Sequence, residues 1–81
     1  FNVEIEIEAL DRTKLLRDIT NVISEYDLNI ISTTGGAQKK NGFAKFRLVI
    51  EVSNKYILKD VINNLRNIDS VYDVYRVLPK G

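Results

Sequence analysis

The chain has 81 residues, with 12 Lys or Arg against 11 Asp or Glu for a formal net charge of +1, and it contains no Cys, His or Met. A chain of this length forms one domain with a thin core, burying about 60% of its unfolded surface. The composition excludes disulfides, thiol nucleophiles and His- or Cys-based zinc sites, and no apolar run of about 18 residues is present to span a membrane. The near-zero net charge gives no bulk attraction for nucleic acid. Lacking Met, residues 1–81 are expected to be a single domain of a longer, cytoplasmic protein, supported by an interface with a second copy or with its parent.

Phe1 to Leu10 alternates strictly, with Val3, Ile5, Ile7 and Ala9 on one face and Glu4, Glu6 and Glu8 on the other. This pattern predicts a strand with one buried side. From Leu15 the period becomes helical, and Leu15, Leu16, Ile19, Val22, Ile23 and Tyr26 form the inner stripe. Asp11 or Thr13 is the expected N-cap, since either side chain can accept from a free N–H of the first turn. Leu28 to Gln38 reads as a second strand, with Gly35-Gly36 expected to mark a bulge or bend. Lys39-Lys40 falls at a hairpin tip, and Asn41-Gly42 supplies the turn.

The third strand places Ala44, Phe46, Leu48, Ile50 and Val52 on one face and Phe43, Lys45, Arg47, Val49 and Glu51 on the other. Ser53-Asn54 caps a second helix whose inner face is Leu58, Val61, Ile62 and Leu65, with Ile57 and Ile68 beside it. A last strand runs from about Val71 to Leu78, and Pro79 ends it. The fold class is therefore α+β, a ferredoxin-like βαββαβ sandwich. Right-handed crossovers put both helices on one face of a four-stranded antiparallel sheet, with strands one and three as central neighbours. Glu4, Glu6 and Glu8 should then face Lys45 and Arg47 on the open side. Slipping the register by one residue would bury the acids.

The loop from Leu10 to Leu16 is the candidate site. Free N–H groups at the helix start can hold an anion, and Asp11 can hold an ammonium group. The plainer reading makes Asp11 a cap and Arg12 a solvated turn residue. Gly35-Gly36 lacks the spacing of a phosphate cradle and reads better as a bulge. The glutamate row is matched by basic neighbours, which favours ion pairs over a metal site. No His or Cys completes a catalytic constellation, so no catalytic residue, metal ligand or cofactor is assigned.

Asp11-Arg12, Leu15-Leu16, Asp18-Ile19 and Asn29-Ile30 together resemble the ACT domain, a small ligand-sensing module. Gly42-Phe43-Ala44 and the closing Val71, Val74, Tyr75 and Arg76 extend the likeness over essentially the whole chain. The pattern is most similar to the C-terminal ACT segment of the RelA/SpoT family of (p)ppGpp synthetases and hydrolases. The resemblance implies a ligand site at Asp11, Arg12, Thr13, Lys14, Leu15 and Leu16, met by Asn29 and Ile30 of a neighbouring copy. Its implied ligand is a small amino acid. Its implied partners are the parent's catalytic domains, a second copy of the chain and, through the parent, the ribosome or RNA. Amino-acid-binding ACT domains usually carry glycine just before the paired leucines, where Lys14 stands here. That side chain would instead offer an ammonium group to a carboxylate or phosphate.

Two alternatives share the element order. One is the ACT domain of an enzyme of amino-acid metabolism. The other is an RNA-contacting domain of RRM type, suggested by Gly42-Phe43-Ala44-Lys45-Phe46. The RRM reading needs aromatics at alternating open-face positions for base stacking. Lys45 and the glutamate row occupy those positions, and the carboxylates would repel phosphates.

Overall fold

The computed structural model describes residues 1–38 and 41–78. The chain runs β1 (Asn2–Leu10), α1 (Leu15–Glu25), β2 (Asn29–Ala37), β3 (Phe43–Glu51), α2 (Lys55–Arg66) and β4 (Val71–Val77). The four strands form one antiparallel sheet in the order β2-β3-β1-β4. The expected α+β architecture and its central β1–β3 pair are both present. Lys39-Lys40 and Pro79 lie outside the described residues.

Alternation along the strands decides what is buried. Val3, Ile5, Ile7 and Ala9 of β1, and Ala44, Phe46, Leu48 and Ile50 of β3 with the following Val52, point into the core. They meet Leu15, Ile19 and Ile23 of α1 and Leu58, Val61 and Leu65 of α2, residues at i, i+4, i+8 and i, i+3, i+7. Each fully buried aliphatic side chain contributes roughly 1.5–3 kcal/mol relative to exposure. Asn54 begins α2 in extended conformation, and its side-chain oxygen accepts from the Ile57 amide at 3.0 Å. Between β2 and β3, Gly42 sits at φ 73° and the Asn41 side chain accepts from the Phe43 amide at 3.0 Å.

Three local expectations are corrected. The start of α1 is not capped by Asp11 or Thr13: Lys14 takes the N-cap position at φ 68°, ψ 14° and makes no side-chain capping bond. Leu16 is not on the inner face, being 42% exposed, because the helix turns its apolar stripe through Leu15, Ile19 and Ile23. The irregularity in β2 falls between Ile30 and Ser32, leaving Ile31 as the extra residue, whereas Gly35 and Gly36 stay in register opposite Phe46 and Lys45. The reason for Gly35 is close approach. At φ 96°, a Cβ there would lie 2.2 Å from the Lys45 carbonyl oxygen.

β2 differs from the other strands. It is an edge strand that keeps only Ile30 and Gly36 partly covered; its other residues are exposed, including Ile31 at 49%.

Candidate functional site

The loop joining β1 to α1 is held at three points. The Leu10 amide donates to the Ser70 carbonyl at 2.9 Å, and the Asp11 amide donates to the Gly42 carbonyl at 2.9 Å. Arg12 supplies the third hold. Its Nε donates to the Asp69 carbonyl at 3.0 Å, one Nη to the Thr13 carbonyl at 3.1 Å, and the other to Asp18 Oδ2 at 2.8 Å. Asp18 also accepts from Arg17. Arg12 is therefore an internal clamp between the loop, the first turn of α1 and the turn before β4. Its hydrogen bond, followed by that of Arg17, holds the Asp18 carboxyl below its usual 3.8.

Lys14 completes the loop in a left-handed conformation, from which its carbonyl accepts the Asp18 amide at 3.0 Å. This backbone geometry favours glycine. The lysine thus keeps a glycine-type turn while adding a cation at the start of the helix. The Leu15 amide turns back to the Arg12 carbonyl at 3.4 Å, while the amides of Leu16 and Arg17 precede the i→i−4 ladder at the helix end. Asp11, Thr13, Lys14 and Leu16 are exposed around this corner, whereas Leu15 is sealed in the core. The resulting surface carries a carboxylate, a hydroxyl, an ammonium group and helix-end N–H groups, suited to a small zwitterion or anion.

Asn29 and Ile30 are not brought to this corner within one chain. Asn29 pairs with Glu51, which pairs with Asn2 at the start of β1; the loop follows Leu10 at the other end of the same strand. Eight residue steps along β1 separate the two ends by about 26 Å. Asn29 lines a separate shallow cavity of about 330 Å³ with Asp27, Leu28, Glu51 and Ser53.

The open face of the sheet carries the expected charge pairs. Arg47 Nη2 lies 3.0 Å from Glu6 Oε1, and Lys45 Nζ lies 3.9 Å from Glu8 Oε2; Glu4 stands opposite Val49 instead. Sequence reasoning missed the third participant. The Tyr75 hydroxyl sits between the two acids, hydrogen-bonded to Glu6 and 2.8 Å from Glu8 Oε2. The signal was the alternation of Tyr75 with core residue Val74, which turns it to the glutamate side. Glu6 is left only 7% exposed. Tyr75 and then Arg47 lower the Glu6 carboxyl, outweighing the opposing effect of burial, while the two glutamates raise the phenol. Among the described residues, no group of three His, Cys, Asp or Glu is placed to hold a metal.

A four-stranded antiparallel sheet with two helices on one face, in the order βαββαβ, defines a small α+β module of ferredoxin-like architecture. The ACT domain family model matches residues 1–76, and the chain belongs to that family. It is 39% identical over 79 residues to a GTP pyrophosphokinase of Streptomyces antibioticus, covering 98% of this chain and 9% of that protein. It is 40% identical over 80 residues to the bifunctional (p)ppGpp synthase/hydrolase RelA of Mycobacterium tuberculosis, covering 95% and 10%. The chain thus spans about a tenth of the length of these curated relatives. The crystal structure of the ACT domain from a GTP pyrophosphokinase of Chlorobium tepidum superposes with a TM-score of 0.83 at 32% identity, covering 95% of this chain and 97% of that one.

Proposed function

We propose that this chain is the regulatory ACT module of a cytoplasmic (p)ppGpp synthetase/hydrolase, and that it senses a small amino acid between two copies of itself. The catalytic sites of such a parent would lie outside this segment. The similarity to GTP pyrophosphokinases over essentially the whole chain favours this parent over an enzyme of amino-acid metabolism. Among the described residues, no helix is long and apolar enough to cross a membrane.

The observation that carries the reading is the exposure of β2. An edge strand exposed along most of its length has unpaired backbone groups and a bare Ile31, features that favour pairing with another strand. Antiparallel pairing of two β2 strands about a two-fold axis near Thr33 would set Asn29 of one copy beside Ala37 of the other. Ala37 pairs with Ala44, and Ala44 with Ala9, which leads directly into the Asp11–Leu16 loop. A second copy would therefore replace the separation of about 26 Å along the strands with a lateral one of three strand spacings, about 14 Å. Asp11 would take the ligand's ammonium group, Lys14 and the helix-end amides its carboxylate, and Asn29 of the second copy its remaining polar atoms. Ligand binding would then favour the paired state by differential affinity and bias the parent accordingly.

The test combines sedimentation with an NMR titration using valine, leucine and isoleucine. A dimer at millimolar protein, tightened by one of these amino acids, with shifts at both Lys14 and Asn29, is the expected result. Thr33→Pro should abolish both pairing and binding. A monomer at every concentration, or shifts confined to one end of the sheet, would remove the paired site.

A further inference from the structure

A second surface, remote from the loop, runs along the flank of α2 that borders the edge of β4. It is a groove of about 380 Å³ whose lining includes Lys55, Leu58, Lys59, Ile62, Arg66 and Arg76. Leu58 and Ile62 supply an apolar floor, and four cations stand around it. Among the described residues no carboxylate lines it; Asp60, the acidic residue of α2, lies outside the lining. Among the described residues none of the four cations enters an ion pair. A chain of net charge +1 has thus gathered four positive groups in one concave strip, with no carboxylate among the described lining residues.

The spacing selects the partner. Lys55 and Arg66 are eleven residues apart on one helix, a rise of about 16 Å. A compact phosphate would meet one or two of these cations. An extended peptide of about five residues covers the same length. Among the described residues no aromatic side chain lines the groove, which leaves no platform there for a nucleobase. Arg66 also donates from Nε and Nη2 to the Val74 carbonyl, at 3.1 and 2.7 Å, which fixes its guanidinium against the β4 edge.

We propose that the α2–β4 groove docks an acidic, extended segment of a partner polypeptide, with carboxylates on Lys55, Lys59, Arg66 and Arg76 and apolar side chains on Leu58 and Ile62. This surface is independent of the amino-acid site, since neither the first loop nor Asn29 lines it.

The probe is an acetylated, amidated heptapeptide alternating Glu with Leu, titrated into the 81-residue chain and followed by NMR. The Chlorobium tepidum ACT domain, a chain of similar extent, crystallised on its own. Resonances of Lys55, Leu58, Lys59, Ile62, Arg66 and Arg76 should shift, while those of Lys14 and Asn29 stay in place. Lys59→Glu with Arg76→Glu should weaken binding by roughly tenfold or more, as reversal of two charge contacts requires. Both side chains are exposed and, among the described residues, form no ion pair, and a dispersed spectrum verifies the fold. For the unaltered chain, raising salt from low to physiological ionic strength should also weaken binding. The proposal fails if the shifts map elsewhere, if the double variant or the added salt leaves affinity unchanged, or if a single-stranded RNA octamer or inorganic pyrophosphate occupies the groove at lower concentration than the peptide.

Discussion

Arg12 Nη2 lies 2.8 Å from Asp18 Oδ2, while the same guanidinium donates to the carbonyls of Thr13 and Asp69. One side chain thus joins the first loop, the first helix and the turn before the last strand. Arg12→Ala should leave the sheet intact and loosen the loop. Amide exchange at Lys14 and Leu15 is expected to accelerate far more than at Ile5 or Leu48. Lys at position 12 would keep the charge but lose the planar three-way geometry, so Arg12→Lys should restore little protection. Equal exchange in all three proteins would show that the loop holds without the clamp. Because Asp18 is lowered below 3.8, this link is complete above that pH and is lost as pH falls through the native value.

Lys14 occupies a left-handed backbone conformation at φ 68°. A non-glycine residue pays about 1–2 kcal/mol there, and glycine returns part of the gain through its freer unfolded chain. Lys14→Gly should therefore stabilise the domain by up to about 1 kcal/mol, or roughly 4–8 °C in Tm for a domain of this size. Under the proposed function the same change removes the cation facing the ligand carboxylate while opening space above the backbone. Calorimetry with leucine separates the two effects. A fall in Tm would contradict the strain assigned to this turn.

Much of this architecture is legible in the sequence because burial alternates so regularly. Val3, Ile5, Ile7 and Ala9 against Glu4, Glu6 and Glu8 fix both the faces and the register of β1, and Asn54 announces α2 through its capping oxygen. Features set by tertiary contact are less legible. The lysine at position 14 gives no glycine-type signal by residue type, and only the family resemblance points to the left-handed turn found there. Nothing local marks Arg12 as bound to Asp69, 57 residues away. The exposure of β2 is also hidden, since a strand reading of Leu28 to Gln38 does not show that Ile31 is left 49% exposed at the sheet edge. The candidate loop could be located from sequence. The separation of Asn29 from it within one chain follows only from the strand order.

Gly35 tests the correction to β2. A methyl group there would meet the Lys45 carbonyl oxygen at 2.2 Å, whereas one at Gly36 meets nothing within 4 Å. Gly35→Ala combines backbone strain with a clash against a paired strand and should cost about 2–3 kcal/mol. Gly36→Ala adds strain alone and should cost about 1 kcal/mol. Urea denaturation of the two variants gives the comparison. Equal costs would mean that the glycines serve only turn geometry, as a bulge would require.

The Glu6–Tyr75 contact makes acid stability specific. Tyr75 and Arg47 hold the Glu6 carboxyl below 4.5, so the native state favours the ionised form relative to the unfolded chain. This contribution is complete above about pH 4.5 and disappears as pH falls through the lowered native value. Tyr75 shifts the opposite way: its phenol is raised from 10.0, so its contribution is intact below that pH and declines as pH rises beyond it. Tm measured from pH 2.5 to 11 should fall at both ends of the range. Glu6→Gln should flatten the acid limb and also reduce the alkaline one, because the same contact underlies both. Tyr75→Phe should remove the alkaline dependence of this pair and weaken the acid limb, with Arg47 left as the partner that still holds Glu6. An acid limb unchanged by both substitutions would place the pH sensitivity elsewhere in the fold, with Asp18 at the Arg12 clamp the next carboxylate to replace.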